Sequence, residues 1–239
     1  MIAYMKAEFY RFTKKKSFAL LLILFTIVYS SAAFFNRSNA GDLISFNNIL
    51  IQMSPMLIGI AIFLMVYTDD ISAYSLQIPI GYGLPRWNIV IAKLLEVIIT
   101  FSLVMAYALA LAGIINIIMP YQLDYSQLVS PILYALLTVA LFSSFAGFLA
   151  LVLQKSSISI IAFVMLISNL VDSLLSLLFS IPFIGNNFPW LASYLPNTLL
   201  MNIYYDGMKS PSLPFVLAYI VVALAVTILT FNKSELNFA

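Results

Sequence analysis

Whatever chemistry this chain performs must be carried by nine carboxylates and eleven basic side chains, because its 239 residues include no histidine and no cysteine. Those two absences remove the commonest metal ligand and proton shuttle, and with them thiol nucleophiles, disulfides and thiolate metal sites. An intramembrane aspartyl mechanism needs two carboxylates held close together. Only Asp172, in "LISNLVDSLLSLLFS", lies well inside an apolar run. At helical spacing Ser168, Asp172 and Ser176 share one side, with Asn169 and Ser173 beside it. A charge in hydrocarbon costs at least a few kcal/mol, so this stripe is expected to face protein or water. It would line a translocation route or a seam where hydroxyls bond between helices; the alternative is a hydrogen-bonded structural aspartate.

A second concentration of polar residues is "TDDISAYSLQIPIGYGLPRWNIVIAKLLE", Thr68 to Glu96. It combines two adjacent aspartates, a Gly-x-Gly turn, a proline suited to the first turn of a helix, and Arg86, Lys93 and Glu96 on the helix that follows. Lys93 and Glu96 are three residues apart and therefore neighbours on that helix. The bland reading is a solvated loop with snorkelling cations.

The elements that must position these residues are membrane helices. Hydrophobic residues make up 63% of the chain and charged ones 8%, which no ordinary soluble domain matches. The apolar runs suit helices that need about 20 residues to cross roughly 30 Å of hydrocarbon. They are too long, and too lacking in alternation, for barrel strands. Six spans are expected, at about Ser17–Phe35, Asn47–Tyr67, Ile89–Met119, Pro131–Leu153, Ile158–Phe179 and Leu213–Phe231. The fold class is thus all-α and integral to the membrane, a single domain over residues 1–239. The run after Lys14–Lys16 is longer than the core of a secretory signal and is read as a span. Pro55 is expected to kink the second span. Gly59, Gly113 and the group Ser143, Ser144, Ala146, Gly147 and Ala150 permit close helix contact.

Charge asymmetry sets the orientation. Lys6, Arg11, Lys14, Lys15, Lys16, Arg86, Lys93, Lys155 and Lys233 fall on one side of the expected topology, and only Arg37 and Lys209 on the other. Both termini and the 68–88 loop are therefore expected in the cytoplasm. Upstream of the first span, Ile2, Met5, Phe9 and Phe12 recur at helical spacing, the pattern of an interfacial amphipathic helix over residues 1–16; the bland reading is a positively charged anchor that fixes topology. On the opposite side the segment 181–212 carries Trp190, Tyr194, Tyr204 and Tyr205 and is broken by Pro189 and Pro196. Two short apolar helices around Pro196 are expected there. A net charge of +2 gives no reason to invoke nucleic acid.

The six-span layout, the amphipathic start and the acidic, turn and Arg-Lys pattern after the second span resemble the permease subunits of ABC-2-type exporters. In that pattern Asp69 or Asp70 takes the acidic position, Arg86 the arginine and Lys93 the lysine. Ala73-Tyr74 replaces a common Gly-Thr, and Pro85 a common serine. The resemblance implies that Asp69, Asp70, Tyr74, Arg86 and Lys93 belong to a coupling helix seated on a separate ATP-binding cassette subunit, which would bind ATP and Mg. It also implies that Trp190, Tyr194 and Pro196 belong to re-entrant helices capping the pathway on the outside. A dimer of permeases, homomeric or with a paralogous partner, is expected in a bacterial plasma membrane. The absence of any G-x-x-x-x-G-K-[ST] phosphate loop agrees with an ATPase on another chain. The small permeases of this family that the chain most resembles export lantibiotics, other bacteriocins and amphipathic peptide toxins. Drugs, lipids or glycan precursors are alternative cargoes, and a secondary transporter is the rival mechanism.

Overall fold

The computed structural model describes residues 2–35, 40–72, 76–118, 128–181 and 187–233, and among them it is all-helical. Helix α1 spans Ile2–Thr13 and α2 Lys16–Phe35. Next come α3 (Ala40–Ser54), α4 (Ile60–Phe63), α5 (Asp69–Ser72) and α6 (Gln77–Gly81). Then follow α7 (Arg86–Ile118), α8 (Val129–Leu153), α9 (Ser156–Ile167) and α10 (Leu170–Phe179). The last two are α11 (Pro196–Asp206) and α12 (Leu213–Lys233).

Five segments are long and apolar enough to cross a membrane: Lys16–Phe35, Ser45–Thr68, Arg86–Ile115, Val129–Leu153 and Leu213–Lys233. They coincide with five of the six expected spans. The expected fifth span departs from the pattern, because α9 and α10 are bent 63° at a break between them. Ser168 ends α9, and Asn169 adopts the left-handed conformation at φ 63°. Asparagine tolerates this region better than most residues, since its side chain can bond locally. The single stripe expected for Ser168, Asp172 and Ser176 is therefore broken, as its members sit on two helices that point in different directions.

The second span is also irregular. Pro55 has no N–H to give to the carbonyl four residues back, that of Ile51. The Ser54 hydroxyl donates to this carbonyl instead, at 2.7 Å. From there the helix widens into π-helical turns at Pro55–Gly59 and Leu64–Thr68, on either side of α4.

Helix α8 is the axis of the bundle, and α7, α9, α11, α12 and α3 all pack on it. Its sequence explains that place, because Ala135, Ala140, Ser143, Ala146, Gly147 and Ala150 are small and buried. Small side chains let neighbouring backbones approach. At Gly147 the approach is so close that a Cβ would sit 2.7 Å from the Tyr67 hydroxyl of the second span. Phe63 and Phe163 stack with centroids 4.5 Å apart and fix the second span to α9. By contrast α2 is peripheral, and Leu20, Leu24 and Val28 along it are more than half exposed.

Candidate functional site

The strongest concentration of polar chemistry is an ion cluster built from three elements distant in sequence. Helix α1 contributes Glu8 and Arg11, α5 contributes Asp70, and α7 contributes Lys93 and Glu96. Arg11 Nη2 donates at 2.5 Å both to Glu8 Oε2, three residues earlier on the same helix face, and to Asp70 Oδ1. Lys93 Nζ bonds Glu96 Oε2 at 3.0 Å and Glu8 Oε2 at 3.2 Å, and it pairs with the second oxygen of Asp70. Lys93 is 1% exposed and Asp70 2%. Three carboxylates thus share two cations, with Lys93, Asp70 and Glu96 nearly closed to water and Arg11 partly open to it.

Burial alone would raise the pKa of Asp70, but the Lys93 ammonium and then the Arg11 guanidinium outweigh it and hold the carboxyl below its usual value. For Arg11, burial works against the charged form, and the Asp70 carboxylate beside it raises the pKa nonetheless. Burial pushes the Tyr4 phenol up as well, so it stays protonated beside the cluster. Among the described residues no group of histidine, cysteine, aspartate and glutamate could hold a metal ion, and the three carboxylates here are occupied by cations.

Beside the cluster a cleft of about 470 Å³ separates α1 from the 76–85 turn, with Tyr4, Glu8 and Arg11 on one wall and Ile78, Pro79 and Tyr82 on the other. Gly83, at φ +84°, makes the reversal into α7. The bland reading of a solvated loop does not hold at Asp70 and Lys93, whose side chains are buried. Asp69 has its backbone in α5, but its side chain lies outside the described residues, and so does the whole of Tyr74. Arg86 serves a different partner. Its guanidinium donates to the Phe231 carbonyl at 2.7 Å and lies 5.6 Å from the Phe231 ring centroid, closing the end of α12. A cation there suits the negative end of the helix.

The residues expected to line a pathway divide in two. Ser168 and Asn169 border a cleft of about 280 Å³ together with Gln52, Met56, Tyr134 and Thr138. Asp172 faces elsewhere and accepts the Asn197 backbone N–H at 2.7 Å. Since Pro196 is the first residue of α11, this carboxylate caps a helix N-terminus, where negative charge is stabilised. Ser176 is exposed and donates to its own helix, to the Ser173 carbonyl at 2.8 Å.

Between α10 and α11 a 3₁₀ turn, Pro189–Tyr194, carries Trp190 and Tyr194 with their rings edge to face at 6.0 Å. Tyr219 of α12 donates to the Tyr194 carbonyl at 3.0 Å. Sequence reasoning missed Glu8 and Tyr4 as members of the cluster. The usable signal for Glu8 was its position three residues before Arg11 on an otherwise apolar and basic helix.

No protein-family model matches this chain, and no curated protein matches its sequence.

Proposed function

We propose that this chain is the membrane-spanning permease subunit of an ATP-driven exporter, with ATP hydrolysed by a separate ATPase chain. The observation that carries this reading is the ion cluster, which fastens amphipathic α1 and the segment after the second span to the head of α7. Force applied at that corner would reach the second and third spans together. Breaking a buried pair costs about 3–5 kcal/mol, so the joint resists shear. The basic residues of α1, of the α1–α2 junction and of the α7 start favour a cytoplasmic side for this corner, and for both termini, in what would be a bacterial plasma membrane. The ATPase would seat on the exposed side of the 68–88 loop, against the cleft bordered by Tyr4, Ile78 and Tyr82. Asp69 and Tyr74 belong to the same loop by sequence.

The cargo fits an amphipathic peptide of the bacteriocin, lantibiotic or peptide-toxin class. The cleft at Gln52, Ser168 and Asn169 offers a few hydrogen-bonding groups among apolar walls. Trp190, Tyr194 and Pro196 would dip into the outer leaflet as a cap. A second permease copy, identical or paralogous, would complete the pathway.

One observation favours a second reading, an ion-coupled secondary carrier. The break at Ser168–Asn169 interrupts a hydrophobic segment, and interrupted helices often mark the substrate site of such carriers. Mild-detergent purification of the tagged chain from its native host, followed by export assays in inverted vesicles, separates the two. A co-purifying ATPase, and export that requires ATP and survives collapse of the proton gradient, is the expected result. Export that follows the gradient without ATP would replace the first reading by the second.

A further inference from the structure

Helix α2 and the second span do not lie flush. They leave a slot of about 520 Å³ between them, with a polar contact near each end. At one end the Lys15 ammonium donates to the Met65 carbonyl at 2.6 Å, in the second π turn. At the other the Tyr29 hydroxyl donates to Asn47 Oδ1 at 2.5 Å. Between these closures the walls are apolar, with Leu20, Leu24 and Val28 on one side and Leu50, Leu57 and Ala61 on the other. The wall from Ser17 to Val28 is about 17 Å long at 1.5 Å per residue, close to the depth of one leaflet of a hydrocarbon core about 30 Å thick.

The two ends differ in charge. Lys14, Lys15 and Lys16 stand beside Ser17 at one end of the slot, while among the described residues the other end is closed by a neutral pair, Tyr29 and Asn47. The Lys14 and Lys16 side chains are exposed, and no described carboxylate pairs with either. Lys14 leans on the Tyr10 ring at 5.6 Å, which holds it near the α1–α2 corner. A slot as deep as one leaflet, greasy along its length and positive at its mouth, has the shape and polarity of a single phospholipid with an anionic headgroup.

We propose that the α2 slot is a binding site for an anionic phospholipid, with one acyl chain between α2 and the second span and the phosphate on Lys14 and Lys16. Basic groups at an anionic surface act additively, so two lysines give roughly tenfold or greater preference over a zwitterionic headgroup. The bound chain would fill a gap that the protein's own side chains leave open, between a peripheral helix and the irregular second span.

The test purifies the full chain in mild detergent with phosphatidylglycerol or phosphatidylcholine of identical chains and counts retained lipid by native mass spectrometry. Wild type is expected to retain phosphatidylglycerol about tenfold better. The double variant Lys14→Gln/Lys16→Gln should lose that preference, and Lys14→Arg/Lys16→Arg should keep it. Ala61→Trp, which fills the slot, should lower retention of both lipids. Equal retention by wild type, or a preference that survives Lys14→Gln/Lys16→Gln, would overturn the proposal. So would efficient disulfide cross-linking between copies through Leu24→Cys in a chain with no other cysteine, since a second copy would then occupy the slot.

Discussion

Asp70 and Asp172 are both buried carboxylates in a chain with few charges, 2% and 8% exposed, yet they are stabilised in opposite ways. Asp70 is held by full counter-charges from two other helices, and its partner Arg11 is 59 residues away. Asp172 is held by a backbone N–H at the start of α11. The first arrangement couples elements and depends most on its buried cation, Lys93. The second is a local cap that asks only for an acceptor oxygen. Burial of an acid therefore does not by itself mark a moving or catalytic group, and the partner decides what the acid is for.

The sharpest way to break this contrast is at Lys93, which serves three carboxylates. Lys93→Leu should destabilise the protein by about 3–5 kcal/mol, the usual cost of leaving buried charge uncompensated. Unfolding in detergent measures this, together with faster trypsin cleavage in α1 once its anchor is gone. Asp172→Leu comes next, at about 1–3 kcal/mol for an orphaned buried N–H, whereas Asp172→Asn keeps an acceptor and should cost well under half of that. If the asparagine and leucine variants proved equally damaging, the capping role would be wrong. Arg11→Gln should cost least, about 1 kcal/mol or below, because its side chain is 42% exposed and water screens the pair.

Acid sharpens the contrast further. With its folded-state pKa below the ordinary value of about 3.9, Asp70 stabilises the protein fully above that pH and loses its contribution as pH falls through the lower folded value. Melting temperature followed against pH should show no slope from Asp70 between about pH 5 and 8, with a fall only below about 4. Asp70→Asn should flatten that acid limb. An unchanged limb would remove Asp70 from the account.

The spans were legible because hydrophobic length is a property of single segments, and Lys93–Glu96 because three-residue spacing is local. The cluster as a whole was not. Glu8 and Lys93 are 85 residues apart, and no pattern in either neighbourhood announces the other. The same local view made the 68–96 island look like a solvated loop, since polar residues in a row carry no sign of what covers them. The bend at Ser168–Asn169 was hidden for a different reason. The stretch Ile158–Phe179 stays apolar enough to span, and the break depends on one asparagine entering a conformation that it merely tolerates. Asp172 read as a helix-face residue because its partner, the Asn197 N–H, belongs to every residue type and leaves no mark in the sequence.

The bond from Arg86 to the Phe231 carbonyl joins residues 145 positions apart. A ribosome adding roughly 5–20 residues per second needs about 7–29 s to travel from one to the other. Through that interval the start of α7 is already made while this acceptor does not yet exist, so the link between α7 and α12 forms only after the helices between them. Closure of this one link is therefore a late step, set by the arrival of α12 and not by the start of α7.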